Sequence, residues 1–145
     1  MSFAFDVRVY WEDTDAGGIV FYANYLKFME RARTEWLRSL GVAQSRLRET
    51  TGGMFVVTET QLKYHRPARL DDELLVTAEL QQIGSASLII GQRVLSKKEQ
   101  PELLCDGTIR IGWVDGATLR PTRMPREVAG TLERYRSSMT QPLKP

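Results

Sequence analysis

A chain of 145 residues is the usual length of one domain with one hydrophobic core, so we expect a single domain over residues 1–145. Hydrophobic residues make up 42% and charged residues 26%, a balance typical of soluble globular proteins. The net charge of +2 comes from basic residues scattered among acidic ones, whereas nucleic-acid binders usually concentrate theirs in a stripe. The composition therefore argues against a nucleic-acid partner.

The sequence also lacks the signals that direct a chain into or across a membrane. Its apolar runs are too short to span a bilayer, and the N-terminus has no basic start followed by an apolar stretch and a cleavage site. Its single cysteine, Cys105, cannot form an internal disulfide bond, which fits a reducing compartment. We therefore expect a cytoplasmic protein that is not inserted into a membrane.

The first predicted element is a strand from Asp6 to Trp11, whose apolar residues, Trp11 included, recur at alternate positions. Residues 12–20 contain two aspartates and two glycines, which predicts a loop. A long helix follows from about Tyr22 to Leu40, because apolar residues keep helical spacing over this span. Gly41 then offers a stop.

Beyond the helix the apolar period changes to two, and four more strands joined by short connections are predicted. Their approximate ranges are 54–66, 74–81, 86–95 and 103–113. A short C-terminal helix is expected over about 125–136, and the last residues are expected to fray. One long helix against a five-stranded antiparallel sheet is an α+β arrangement. Because one helix covers only one face of the sheet, a partner subunit is expected at the other face or at an exposed edge.

The segment with the most chemical content is residues 10–25, YWEDTDAGGIVFYANY, which places carboxylates, glycines and the helix start within sixteen residues. A helix N-terminus presents free N–H groups and a positive dipole end. These groups can polarise a carbonyl and hold the oxyanion that forms when it is attacked. A nearby carboxylate could attack that carbonyl or activate a water molecule. The segment therefore fits an acyl-transfer site.

Two other interpretations of this loop stay open on the residues alone. Asp13 and Asp15 could serve only as turn formers or as a helix-capping pair. They could also bind a metal ion, although two aspartates without other clustered ligands match no specific pattern. The spacing of the two carboxylates does not decide between these interpretations and acyl transfer.

The same segment closely resembles the 4-hydroxybenzoyl-CoA thioesterase family of hot-dog proteins. The stretch Tyr10–Arg38, with ERARTE at 30–35, looks most like the Tol–Pal-associated acyl-CoA thioesterase branch of that family. The likeness continues at residues 64–73, YHRPARLDDE, and weakly at residues 120–121. One position departs: the Tol–Pal branch usually has histidine where this chain has Tyr22, and members that act on 4-hydroxybenzoyl-CoA resemble the chain more closely there.

The resemblance implies a hot-dog fold, in which an antiparallel five-stranded sheet wraps around one long helix, and it implies acyl-CoA thioester hydrolysis. Asp15 would be the catalytic carboxylate, as nucleophile or general base. A backbone N–H near Tyr22 would polarise the thioester carbonyl, and Gly17 and Gly18 would shape the loop beneath it. The resemblance also implies homodimers or homotetramers with active sites between subunits, and no metal or redox cofactor. The alternative is a non-catalytic hot-dog protein that binds an acyl carrier or an envelope-linked partner.

Two arginines are expected to contribute to substrate binding. Arg66 and Arg69 follow a strand at an expected subunit edge, where they could meet the phosphates of coenzyme A. His65, the only histidine, is expected to be structural. Hot-dog dehydratases resemble this fold but use a histidine in their active loop, and the loop here has none, so dehydration lacks its expected base.

One residue of the predicted helix, Glu30, and one residue of a predicted strand, Cys105, are expected to play structural roles. Glu30 could be a second active-site carboxylate, but an ion pair with Arg31 or Arg33 is the preferred interpretation. Cys105 falls on an apolar strand face and is expected to be an inert core residue.

Overall fold

The architecture is a five-stranded antiparallel sheet with one long helix packed against it, seen in a computed structural model that describes residues 3–140. The strands are β1 (Phe3–Arg8), β2 (Gly53–Tyr64), β3 (Glu73–Ile83), β4 (Ser87–Ser96) and β5 (Leu103–Asp115). The helices are α1 (Asn24–Ser39), α2 (Gln44–Thr51) and α3 (Arg126–Thr140). The strand order is β1-β3-β4-β5-β2, so β1 and β2 form the two edges. The predicted fold class is confirmed, and the predicted fraying of the last residues falls outside the described part of the chain.

The core lies between α1 and the inner face of the sheet. Alternate residues of the central strands, such as Leu74, Val76 and Ala78 of β3, are completely buried there. The helix contributes one continuous buried stripe, as its apolar spacing predicts. Its buried residues are Tyr25, Phe28, Met29, Ala32, Arg33, Trp36 and Leu37. No helix in the described range 3–140 has the length and apolarity to cross a membrane.

The first strand ends earlier than the alternating pattern predicts. Val9 still bonds to the neighbouring segment, because its N–H donates to Asp72 O at 2.9 Å. The next residue turns away, since the Tyr10 N–H donates to the Asp13 carboxylate at 2.8 Å and closes a single 3-10 turn, Trp11–Asp13. Trp11 is therefore 80% exposed instead of sharing a buried face with the valines.

Helix α2 was not predicted. Its eight residues include no buried side chain, so they lack the apolar period on which a sequence-based prediction depends. The helix ends at Gly52, whose φ of 75° gives the left-handed conformation that favours glycine at a helix C-terminus. From there the chain enters β2 directly.

The edge strand β2 is held against β5 by an unusually close approach at Gly107. A Cβ built on this glycine would lie 2.0 Å from the carbonyl oxygen of Gln61, nearer than any real contact allows. Leu62 is the residue directly opposite Gly107 in the strand register. The position of the C-terminal half of β2 therefore depends on a residue without a side chain.

One polar cluster lies inside the core. Arg33 of α1 is only 7% exposed, and its Nη1 donates to Oε1 of Gln92 in β4 at 2.9 Å. The amide of Gln92 in turn donates to the carbonyl oxygens of Met29, at 3.0 Å, and Thr77, at 3.1 Å. Burial lowers the pKa of Arg33 because it disfavours the charged form. The predicted close ion pair of Glu30 with Arg31 or Arg33 is absent, since neither arginine lies within salt-bridge distance of Glu30 in residues 3–140. The charge of Glu30 still acts on Arg33, where it opposes the effect of burial on the pKa.

Candidate active site

The loop between β1 and α1 is a tight hairpin. Thr14 and Val20 pair in an antiparallel bridge, and the Asp15 N–H donates to Ile19 O at 2.9 Å. The Gly18 N–H donates back to Asp15 O at 3.1 Å, with Gly18 at a φ of 78° that side-chain-bearing residues rarely adopt. This backbone conformation favours glycine at position 18, and the turn places Asp15 at the tip of the hairpin.

The hairpin is tied to the segment that connects β2 to β3. Ile19 pairs with Arg69 in a second antiparallel bridge. The Val20 N–H donates to Ala68 O at 2.8 Å, and the Leu70 N–H donates to Gly18 O at 3.2 Å. These bonds place the backbone of Arg69 beside the aspartate loop.

The two aspartates of the loop have different environments. Asp13 is 7% exposed, and its carboxylate accepts the Tyr10 N–H. Its carbonyl oxygen accepts the Phe21 N–H at 3.0 Å and the Asn24 side-chain amide at 2.8 Å. Asp13 is therefore the turn former, and it joins the loop to the first residue of α1.

Asp15 keeps one carboxylate oxygen available. Its Oδ1 accepts the Gly17 N–H at 2.8 Å, whereas Oδ2 has no hydrogen-bond partner among residues 3–140. A Cβ at Gly17 would lie 3.2 Å from the same Oδ1, so a side chain there would crowd the carboxylate. The side chain forms a local turn, as one of the open interpretations proposed, and it also presents an exposed oxygen to the surface.

The start of α1 has no side-chain cap. Ala23 occupies the N-cap position, and no side chain accepts a hydrogen bond from the first turn. The N–H groups of Tyr22 and Ala23 donate to no acceptor within the described residues, so they remain available to a ligand. Tyr22 itself is 63% exposed and lies two residues beyond the bridge that closes the aspartate hairpin.

Tyr64 at the end of β2 contacts this helix start. Its hydroxyl donates to the carbonyl oxygen of Tyr22 at 3.0 Å. Its ring makes an edge contact with the Tyr22 ring, with centroids 6.4 Å apart, and a tilted contact with Tyr25 at 5.6 Å. The sequence analysis missed Tyr64 as a site residue because 42 positions separate it from Tyr22. Only its place in the segment that resembles the hot-dog family pointed towards it.

Two other residues considered in the sequence analysis, Arg66 and His65, pair with acidic side chains outside the aspartate hairpin. Arg66 faces Glu102, with 3.3 Å between Nη1 and Oε2, and is not tied to the hairpin as Arg69 is. His65 is paired with Asp106 across the sheet at 2.8 Å, in agreement with a structural role. Among residues 3–140 no cluster of histidine, cysteine, aspartate or glutamate could hold a metal ion.

A cavity of about 230 Å³ lies between α1 and the edge strand, where Arg33, Phe55 and Ile111 contribute to its lining. Asp15 does not line this cavity. On the single chain, Asp15 is an exposed residue.

A five-stranded antiparallel sheet of this strand order with one long helix on its inner face is the hot-dog fold, and solved structures of hot-dog thioesterases agree. A probable thioesterase from Bartonella henselae superposes with a TM-score of 0.78 at 29% identity, over 86% of this chain and all of the other. The fold also matches a Synechocystis 1,4-dihydroxy-2-naphthoyl-CoA thioesterase, with a TM-score of 0.83 at 18% identity over 98% and 100% of the two chains.

The sequence comparisons give the family. A profile described as the Thioesterase-like superfamily matches residues 9–132, and the chain belongs to that family. An acyl-CoA thioesterase YbgC from Haemophilus influenzae is 41% identical over 88% of this chain and 91% of its own length. An acyl-CoA thioester hydrolase YbgC from Escherichia coli is 38% identical over 87% and 92%. The resemblance noted in the sequence is confirmed.

Proposed function

We propose that this protein hydrolyses an acyl-CoA thioester to the free acid and coenzyme A, with Asp15 as nucleophile or general base. One observation carries the proposal. The free carboxylate oxygen of Asp15 lies on a hairpin that runs directly into an uncapped helix start with unpaired N–H groups. A carboxylate and a pair of backbone donors are the two components that acyl transfer needs. The names of the relatives from Haemophilus influenzae and Escherichia coli support this reaction class.

The proposed reaction begins with the thioester carbonyl oxygen directed at the N–H groups of Tyr22 and Ala23. As a general base, Asp15 removes a proton from a water molecule, whose oxygen forms the new bond to the acyl carbon. As a nucleophile, its carboxylate attacks that carbon and forms a mixed anhydride, which water then hydrolyses. In both routes the negative charge collects on the carbonyl oxygen, and the carbon–sulfur bond breaks to release a thiolate. Gly17 and Gly18 keep the loop compact enough for the substrate to approach.

Arg69 is the stronger of the two proposed contacts to coenzyme A. It pairs through its backbone with Ile19 of the aspartate hairpin, and no acidic side chain among residues 3–140 forms an ion pair with its guanidinium group. A free guanidinium group suits a phosphate. Arg66 is already paired with Glu102, so its proposed contact would need that exposed pair to open.

We propose that the working form is a homo-oligomer in which a second chain closes the site. The edge strand β2 leaves one side of its backbone unpaired and exposes Val57 and Tyr64, which are 50% and 48% exposed. Asp15 is exposed on the single chain, so a neighbouring subunit is needed to enclose the bound acyl-CoA beside it. A homotetramer built from two such dimers, and a location in the cytoplasm, remain predictions.

The test is hydrolysis by the purified protein of short-chain, long-chain and aromatic acyl-CoAs, with released thiol as the readout. Asp15→Asn is expected to lower kcat by roughly a hundredfold or more while the fold is kept. Asp115→Asn is the matched control, since Asp115 also uses Oδ1 to accept N–H groups in an exposed turn. Parent-like turnover by Asp15→Asn contradicts the assignment. A parent protein that binds acyl chains but hydrolyses none of the panel supports the non-catalytic alternative.

A further inference from the structure

Tyr64 and Tyr22 are joined by a hydrogen bond that acts on a single peptide group. The Tyr64 hydroxyl donates to the carbonyl oxygen of Tyr22 at 3.0 Å. That carbonyl and the N–H of Ala23 belong to the same peptide unit. This N–H lies at the N-cap of α1 and has no acceptor among the described residues.

A donor on the carbonyl oxygen of a peptide affects its N–H in two ways. It fixes the plane of the peptide, which here would otherwise be held only by its neighbours in an exposed turn. It also draws electron density towards the oxygen, so that the N–H becomes a stronger donor, as hydrogen bonds in series strengthen one another. Both effects favour an oxyanion bound at the N–H.

We infer that Tyr64 is a positioning residue for thioester hydrolysis, because its hydroxyl orients and polarises the Tyr22–Ala23 peptide whose N–H receives the developing oxyanion. This inference rests on the proposed function. It assigns a distinct task to the end of the edge strand: β2 supplies a side chain that holds the helix start in its working geometry.

The surroundings of Tyr64 are consistent with a protonated hydroxyl. Partial burial is the main cause that raises its pKa above the ordinary value, and nearby Cys105 and Tyr22 act in the same direction. The group therefore stays a donor at neutral and mildly alkaline pH. Its ring contacts with Tyr22 and Tyr25 restrict the directions in which the hydroxyl can point.

The test is Tyr64→Phe, which keeps the ring and removes only the hydroxyl. We expect kcat to fall roughly tenfold, less than the loss of a whole oxyanion donor, with KM changed less than about twofold. Tyr135→Phe is the matched control, because Tyr135 lies on α3 and its ring packs against Trp36. A kcat for Tyr64→Phe within twofold of the parent overturns the inference.

A second measurement does not depend on turnover. The backbone 15N resonance of Ala23 is expected to move upfield in Tyr64→Phe, because its peptide loses the donor on the carbonyl, while that of Ala129 on α3 stays in place. An unchanged Ala23 resonance also overturns the inference. The two proposals fail separately: an active Asp15→Asn variant refutes the proposed function, whereas a normal Tyr64→Phe beside an inactive Asp15→Asn refutes only the role of Tyr64.

Discussion

The side-chain amide of Asn24 donates to the carbonyl oxygen of Asp13 at 2.8 Å, and this bond joins the first residue of α1 to the residue that closes the preceding turn. The Asn24 side chain thus holds the loop and accepts no hydrogen bond from the N–H groups of Tyr22 and Ala23, which have no acceptor among residues 3–140. The aspartate hairpin and the helix start consequently form one unit, with Asp13 as the common attachment.

Removal of the Asn24–Asp13 hydrogen bond should reduce activity more than it reduces the stability of the fold. Asn24→Ala is expected to lower the free energy of unfolding by about 1 kcal/mol, the usual net value of one hydrogen bond. Turnover should fall by more than this loss of stability explains, because the distance between Asp15 and the helix start is no longer constrained. Urea denaturation and kcat measure the two effects. Gln61→Ala, which removes an exposed amide on β2, should change neither, and an Asn24→Ala variant with normal kcat would contradict the argument.

Alanine in place of the two loop glycines should affect different properties: stability at position 18 and kcat at position 17. Gly18→Ala forces a side chain into a left-handed conformation and is expected to cost about 1–2 kcal/mol of stability. Gly17 lies outside that region, so Gly17→Ala should leave Tm nearly unchanged, yet its Cβ would press on the Asp15 carboxylate and lower kcat. Thermal unfolding and steady-state kinetics on both variants check the contrast. Equal losses of Tm in the two proteins would show that the glycines do not differ in this way.

The buried Arg33–Gln92 pair predicts a large stability effect away from the site. Gln92→Leu removes the hydrogen-bond acceptor of the buried Arg33 guanidinium group, for an expected loss of about 3 kcal/mol. Replacing both residues, in Arg33→Met with Gln92→Leu, should recover much of that loss because the stranded charge is gone. Denaturant unfolding of the parent, Arg33→Met, Gln92→Leu and the double variant gives the four free energies of a double-mutant cycle. Additive losses would mean that the two side chains are not coupled.

Cys105 makes stability depend on alkaline pH. Burial raises the pKa of its thiol to about 12, against an ordinary value of 9.0. The folded state therefore keeps the proton while the unfolded state loses it, so the stabilisation is complete below about pH 9 and is lost progressively as the pH rises towards 12. The free energy of unfolding should fall by up to about 1.4 kcal/mol per pH unit over that window.

Cys105→Ala provides the comparison for this titration. The variant starts from a lower stability because it leaves a small cavity, but its free energy of unfolding should change less between about pH 9 and 10 than that of the parent. Burial also raises the pKa values of Tyr25 and Tyr64, so at higher pH these two groups lower the free energy of unfolding in both proteins. Identical pH slopes for parent and variant in the lower window would exclude the thiol as the source.

The sequence predicted what depends on local pattern and residue type. The alternation of apolar residues located β3, β4 and β5 to within a few positions, and helical spacing located α1, because these elements bury one regular face. The pattern overextended β1 to Trp11, since the turn that ends the strand depends on the Asp13 carboxylate rather than on apolar period. It also missed α2, which buries no residue.

The site was less predictable because its contacts join distant parts of the chain. Spacing could not separate Asp13 from Asp15, and only the fold shows that one carboxylate is buried in a turn while the other keeps an oxygen free. The link between Tyr64 and Tyr22 depends on the end of β2 reaching the start of α1. Arg33 was expected to pair along its own helix, but it points into the core and meets Gln92 of a strand.

The close approach at Gly107 has a consequence for how this protein can change over evolutionary time. Any side chain there would wedge β2 outwards, and Tyr64 lies only two residues beyond the opposed Leu62. A saturation-mutagenesis library selected for activity should therefore return glycine almost alone at position 107, although that residue touches no reacting atom. Sequence change that alters the substrate would then have to occur elsewhere, because this close contact between the paired strands β2 and β5 tolerates no side chain.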